Sequence, residues 1–444
     1  KAQNMTDLEP WNLGAPLTIT MEDVATGKNG TTSLPIGRLA WSREHRRAIF
    51  EPSAEAVRAT IPLSPFSIDI KSGVSAGDHT EFGGLHGVFA DSLPDGWGRL
   101  LVDREAESRG LRRSDLTPVD RLAIVGVSGM GALAYRPEAD RQQDKADMDL
   151  ALLADAVQRI LGEAREPTIA DAVKLRAALG GSGGARPKIV CQIAEQGGDN
   201  AKLRPANAKP DPTFGHWIVK FGNTEDGPYA AQIEHAYALM AASAGINMPE
   251  TRLVSATDGR RFFAIRRFDR DVIKTPQKPV LRRWHMLSAS GALQSEHSKF
   301  AFDYETLLTW AWKLTKDQIA VEEMFRRAAF NVMAHNRDDH GLQHRAMLDM
   351  DDAKMWRWRV SPAYDLTPSD GPGGEHSLTI AGAGKDITRD HLMKLAEQSP
   401  IPAGRASTII DQVSDAVSRW NEFAERVELP RAPCNSITQL HSIL

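Results

Sequence analysis

FNVMAHNRDDHGLQHRAMLDMDDAKMWRWRVSPAYDLTPS runs from Phe330 to Ser369, and the rest of the chain is best understood from it. Phe325, Ala328, Ala329, Val332 and Met333 recur at helical spacing and predict a buried helix that ends just before Asn336-Arg337-Asp338-Asp339-His340. Two adjacent carboxylates and a histidine directly after a core helix are an odd choice for packing alone, because buried charge is costly unless it is paired or holds a metal. Met355 to Val360 alternates and predicts a strand, which runs into Ser361-Pro362-Ala363-Tyr364-Asp365-Leu366-Thr367-Pro368 and places a second carboxylate at a strand end.

One Asp after a helix and another after a hairpin is the layout in which a phosphoryl-transfer site separates a base from a magnesium ligand. Composition permits this and excludes several other classes. The 444 residues carry a formal charge of −4, with 41% hydrophobic and 25% charged residues, so no global field draws the chain to nucleic acid or to a membrane. Cys191 and Cys434 are the two cysteines, which rules out a disulfide framework and fits a reducing, cytoplasmic setting. No apolar run approaches the roughly 18 residues of a membrane span. The first residue is Lys1, and residues 1–4 read as a remnant ahead of Met5.

In chain order, residues 16–50 alternate around Gly- and Asn-containing turns and predict a small antiparallel sheet. Pro94-Asp95-Gly96 is a turn signal ahead of an amphipathic helix from Trp97 to Arg109, with a structural and a catalytic reading both open. Gly126 to Gly131 reads as a turn between a helix and a short strand at Ala132 to Tyr135. Residues 137–149 are the best candidate linker. Helices are expected at Leu150 to Leu161 and Ala170 to Leu179, the second entering Gly180-Gly181-Ser182-Gly183-Gly184-Ala185-Arg186-Pro187-Lys188 and then a strand at Ile189 to Cys191. Four glycines in five positions can present backbone amides to an anion; a flexible hinge is the other reading.

His216 to Phe221 is a short strand with one lysine, Lys220, in apolar company. Such a lysine calls for an opposite charge, either a phosphate or Glu234 on the following helix, Tyr229 to Ser243. Phe262 to Arg270 predicts a strand ending in a charged turn, suited to a hinge between lobes. Helices at Tyr304 to Leu314, Lys316 to His335, Arg389 to Glu397 and Ala406 to Val427 make the second half mainly helical.

Six motifs in order resemble the HipA family of bacterial toxin kinases: Asp91 to Arg99, Gly183 to Lys188, Ile218 to Phe221, Arg267 to Arg270, Asn336 to His340 and Ser361 to Pro368. The resemblance spans about residues 17–400 and implies an α+β, two-lobed protein-kinase-like fold, β-rich in its N-terminal part and helical in its C-terminal lobe. It divides the chain into an N-terminal unit (1–145), a nucleotide-binding lobe (146–270) and a helical catalytic lobe (271–444). It implies that Asp338 is the catalytic base, that Asp365 and Gln343 hold Mg2+, and that ATP meets Gly183, Gly184, Ala185, Arg186, Lys188, Lys220, Arg266, Arg267, Phe268, Asp269, His340 and Tyr364. Ser182 is the candidate regulatory phosphosite. It further implies a protein substrate such as an aminoacyl-tRNA synthetase, a helix-turn-helix antitoxin of HipB type, and contact with DNA only through that antitoxin.

Two departures bear on this. Gln343 stands where the family has Asn, one methylene longer, and the family's regulatory serine falls at Gly181 with Ser182 one place later. Two other classes compete. One is a non-catalytic scaffold that binds an antitoxin as a co-repressor. The other is a metal-dependent hydrolase using His335, His340 and His344 with Asp338 and Asp339, although Gly341 occupies the place where a zinc protease would carry its glutamate.

Overall fold

The structure is a computed structural model that describes residues 12–25, 30–94, 96–108, 110–138, 149–161, 186–223, 226–296, 302–350 and 355–444. Strands β1 (Leu17–Ala25), β2 (Thr31–Ser42), β3 (Arg47–Pro52), β4 (Ser75–Ala76) and β5 (Leu133–Arg136) form an antiparallel sheet in the order β4-β3-β2-β1-β5. In β1, Leu17, Ile19 and Met21 are buried while Thr18 and Thr20 are not, the period of two that a half-covered strand requires. Helices α1 (Ala54–Arg58), α2 (Gly87–Ala90), α3 (Gly96–Ser108) and α4 (Pro118–Val125) lie in the connections between these strands. Helix α4 begins with a capping box, in which Thr117 and Asp120 satisfy each other's backbone amides.

After α5 (Leu150–Leu161), a second antiparallel sheet has the order β7-β6-β8-β10-β9, made of β6 (Lys188–Ala194), β7 (Leu203–Pro205), β8 (Phe214–Lys220), β9 (Thr251–Ser255) and β10 (Arg261–Arg266). One face packs on α5 together with Trp97 and Leu101 of α3, through Ile189, Trp217, Val219 and Ala264. The other face carries Lys220 and receives α6 (Ala230–Ser243). Lys188 lies directly opposite Lys220 across the β6–β8 ladder, so both ammonium groups project from the same face.

The chain then forms a ribbon, β11 (Arg270–Ile273) with β12 (Val280–Arg283), and a three-stranded sheet of β13 (His285–Ser288), β14 (Arg345–Met350) and β15 (Trp356–Val360). The helical part consists of α7 (Ala289–Leu293), α8 (Tyr304–Thr315), α9 (Gln318–Met333), α10 (Arg389–Glu397), α11 (Ala403–Ser418), α12 (Trp420–Arg426) and α13 (Arg431–Thr438). Helix α9 is its axis: capped by the Asp317 side chain, it is buried over most of its length. One apolar core runs from the first sheet through α6 to the helical part.

Several expectations need correction. The helix expected over Ala406 to Val427 is two helices broken at Arg419, and the break lets Trp420 enter the core and give its indole N–H to Cys434 O. The strand expected over Phe262 to Arg270 ends at Arg266, because the side chains of Arg267 and Asp269 bond each other within the turn. The helix expected over Ala170 to Leu179 and most of the candidate linker lie outside the described residues. Gly126 to Gly131 is a turn, held by buried charge: Asp269 accepts from Gly131 N (2.7 Å), Arg270 donates to Gly129 O (2.6 Å) and Arg283 donates to Gly131 O.

Candidate active site

Helix α9 is capped at Ala334, and His335 takes a left-handed conformation (φ +54) that turns the chain out of the helix. The loop that follows is pinned by its backbone. Asn336 N returns to Asn331 O (2.9 Å), Arg337 N donates to Ser369 O (3.1 Å), and Ser377 N donates to Arg337 O (3.1 Å). Arg337 also donates to Gly374 O (2.7 Å). Segment 369–377 therefore lies along the loop. Gly371 has to be glycine here: φ is +69, and a Cβ would sit 2.1 Å from Glu375 O and 2.6 Å from the Arg337 Cβ.

The two adjacent carboxylates take opposite environments. Asp338 is 54% exposed, with His340 Nε2 3.6 Å from its Oδ1. Asp339 is fully buried and accepts from Tyr304 OH (2.7 Å), His376 Nδ1 (2.8 Å), Ser377 N (2.8 Å) and Leu378 N (3.4 Å). Asn331 and Asn336 extend this network beneath the loop. Asp338 is open to solvent, whereas Asp339 holds the loop from within.

Downstream on the same loop, Gln343 Nε2 donates to Asp365 Oδ2 (3.0 Å). Asp365 sits at φ +61, just after Tyr364, whose ring lies 5.8 Å from that of Phe268 and whose hydroxyl accepts from Arg345 (2.8 Å). Lys220 Nζ reaches both Asp365 and Glu234, so a strand lysine, a helix glutamate and the post-hairpin aspartate meet at one point. Burial by itself would push Asp365 up, but Lys220, Lys188 and the donors from Lys220 and Gln343 hold it far below the usual carboxylate range. Burial would likewise push Lys220 down, and the two carboxylates outweigh it and keep the ammonium charged. Glu234 is the weaker acid of the pair, raised by burial and by the charge of Asp365.

The remaining candidates divide. Arg186 pairs with Asp226 (3.0 Å) near this point. A cavity of about 450 Å³ touches Arg186, Lys220 and Glu234 but neither Phe268 nor Tyr364. Arg266 faces away from Asp365 and pairs with Glu195 (3.0 Å) and Glu250 (3.2 Å). Arg267 and Asp269 are fully buried and occupied with one another at 2.9 and 2.7 Å, so their side chains staple the Gly129–Gly131 turn to the hinge. Ser182, Gly183, Gly184 and Ala185 lie outside the described residues. Sequence reasoning missed Asp339, Tyr304 and His376 as supports of the loop; the doubled Asp338-Asp339 was the one local signal.

The hydrolase reading loses its geometry. Among the described residues no three His, Cys, Asp or Glu side chains converge as a metal site. His344 is buried and pushed down to about 3 by desolvation, while His335 pairs with Asp370 (2.9 Å).

The family model for the HipA-like C-terminal domain matches residues 180–420, more than half of the chain, and that for the HipA N-terminal domain matches residues 31–136. The chain belongs to the HipA family. The HipA of Shewanella oneidensis MR-1, solved as a complex of HipA, HipB and operator DNA, superposes with a TM-score of 0.65 at 17% identity, covering 96% of this chain and 94% of that one. That likeness is one of fold, and it extends the two-lobed kinase-like organisation over nearly all of this HipA-family chain. A Haemophilus influenzae protein named "Putative kinase" is 30% identical over 139 residues, which are 28% of this chain and 38% of that protein.

Proposed function

We propose that this HipA-family chain is a serine/threonine protein kinase toxin that transfers the γ-phosphate of ATP to a protein serine. The observation that carries the reading is the meeting of Lys220, Glu234 and Asp365 with Gln343, which lies on the loop that exposes Asp338. Phosphoryl transfer needs mainly positioning and charge neutralisation, and this set supplies both. Asp338 accepts the proton of the incoming hydroxyl. Lys188, Lys220 and Arg186 neutralise phosphate charge, and Gly183, Gly184 and Ala185 are the further residues proposed to contact the nucleotide. The turn at residues 266–269 presents backbone to the adenine, whose ring lies by Phe268 and Tyr364, and His340 borders the phosphates.

The donor set fits magnesium. Mg2+ is usually held by one or two carboxylates plus substrate phosphates and water, and Asp365 is one carboxylate kept ionised. Asp365 and Gln343 would hold the ion, which when bound neutralises phosphate charge. Gln343 turns the nitrogen end of its amide to Asp365, whereas a cation needs the oxygen.

The family membership and the fold of the HipA–HipB complex support a partner of HipB type, with DNA reached only through it and growth inhibition or persistence as the outcome. An aminoacyl-tRNA synthetase is the proposed substrate class and the cytoplasm the proposed compartment. The proposed functional division remains 1–145, 146–270 and 271–444. The longer amide at Gln343 is the ground for a second reading, a catalytically weak kinase-like scaffold that serves as co-repressor. Incubation with γ-labelled ATP and a cell lysate, followed by phosphosite mapping, separates the two: labelled serines that vanish with Asp338→Asn support the kinase, and no label with wild type supports the scaffold.

A further inference from the structure

Helix α6 carries Glu234 and, three residues on and fully buried, Tyr237. The Tyr237 hydroxyl donates to Ala334 O at 2.8 Å, and His441 Nε2 lies 3.0 Å from the same hydroxyl oxygen. Ala334 is the C-cap of α9, directly before the loop that bears Asp338. The carbonyls of a helix's last turn have no donors within the helix and must find them elsewhere. Here Met333 O takes Ser442 N (2.9 Å) and Ala334 O takes the tyrosine hydroxyl.

We propose that Tyr237, completed by His441, is the positioning residue that sets the Glu234-bearing helix against the Asp338-bearing loop. The tyrosine has one hydroxyl proton, and it goes to Ala334 O. His441 must therefore be the tautomer with hydrogen on Nε2, donating to the Tyr237 oxygen, which makes a directed chain from His441 through Tyr237 to Ala334. Phe330, Trp420 and His441 pack edge-on around the Tyr237 ring at centroid distances of 6.3, 5.2 and 5.9 Å. Phenylalanine would fill the same space, so the hydroxyl is needed only for the directed bond. At one end of α6, Glu234 fixes Lys220 and through it Asp365; one turn along, Tyr237 fixes the carbonyl three peptide units before Arg337. A shift of α6 is thereby transmitted to both halves of the site. Residues 440–444 belong to this device, since Ser442 N holds Met333 O and Arg389 holds Leu444 O (3.3 Å).

The test uses the full chain with Tyr237→Phe, His441→Ala and His441→Gln, reading hydrogen exchange of the amides at 335–343, ATP affinity and the phosphoryl-transfer rate. Tyr237→Phe and His441→Ala are expected to speed exchange in 335–343 at least tenfold while the α8 and α11 amides stay unchanged, to lower kcat about tenfold, and to leave ATP affinity within twofold. His441→Gln, whose amide N–H can replace Nε2–H, should restore both readouts, and Tyr237→Phe with His441→Ala together should cost no more than either alone. Exchange that rises uniformly through the helical core, or does not change at 335–343, would overturn the proposal. The activity arm rests on the kinase reading, whereas the exchange arm does not: localised exchange with no phosphoryl transfer even in wild type would leave the positioning role standing and remove the kinase.

Discussion

Asp338 and Asp339 are neighbours whose surroundings give them different work, and their variants should differ accordingly. Asp338→Asn is expected to abolish phosphoryl transfer while thermal unfolding and ATP affinity stay near wild type, because on the proposed reading the exposed carboxylate acts as base on the incoming hydroxyl and the substitution keeps its shape. Asp339→Asn should instead lower stability by about 2–4 kcal/mol in urea unfolding, since a buried carboxylate with four donors would be replaced by a group able to accept from only some of them. Equal stability of the two variants would mean the loop is held by its backbone alone. Lys220 also carries more structure than a strand lysine suggests. Its ammonium separates Glu234 from Asp365, so Lys220→Met should cost about 3 kcal/mol or more as well as ATP affinity. Unaltered calorimetric ATP binding in a folded Lys220→Met protein would remove the lysine from the phosphate site.

At the scale of elements, the short turn Gly341–Gln343 decides how the loop meets Asp365. Gly341 is buried where a Cβ would fall 2.4 Å from the Phe302 ring and 2.5 Å from Ser290 Oγ, so glycine lets the turn pack this closely against both. The turn places the longer amide of Gln343 against Asp365, with its nitrogen donating. Octahedral magnesium, with ligands at about 2.0–2.1 Å, tolerates little misplacement. Gln343→Asn is therefore expected to lower the magnesium concentration that half-saturates the phosphorylation rate. Coincident titration curves for the two proteins would show that position 343 does not touch the ion.

The whole molecule is joined by buried polar contacts between its sequence-distant parts. Asp91 of the N-terminal part accepts from Ser288 N and Oγ at 2.5 and 2.6 Å, and His285 Nε2 donates to Leu63 O at 2.9 Å. Burial pushes His285 down to about 4, as it does His86. The unfolded chain, with histidines near 6.5, binds more protons than the folded one between about pH 6.5 and 4, so stability must fall as pH drops through that window and level off below it. Each such histidine contributes about 1.4 kcal/mol per pH unit there. Urea unfolding at pH 7 and 5 should show a steep loss, and His285→Gln should shrink it by about 2 kcal/mol. A pH dependence identical to wild type would mean that His285 takes up its proton at the same pH in the fold as in the unfolded chain.

The sequence by itself determined the local elements and pointed to the residue types of the candidate site. Period-two and helical patterns placed β1, β8, α6 and α9 to within a few residues, and Asp338, Lys220, Glu234 and Asp365 could be chosen because unpaired charge in apolar company needs a partner. Which charges meet was decided only by the tertiary structure. Asp338 and Asp339 are indistinguishable in the chain, and only the packing of Tyr304 and His376 buries one and leaves the other open. Arg267 and Asp269 read as a charged turn, yet the Gly129–Gly131 turn, some 138 positions away, makes them a buried staple. Local sequence sets backbone preferences over one or two turns, whereas burial and electrostatic partnership depend on what long-range packing brings alongside.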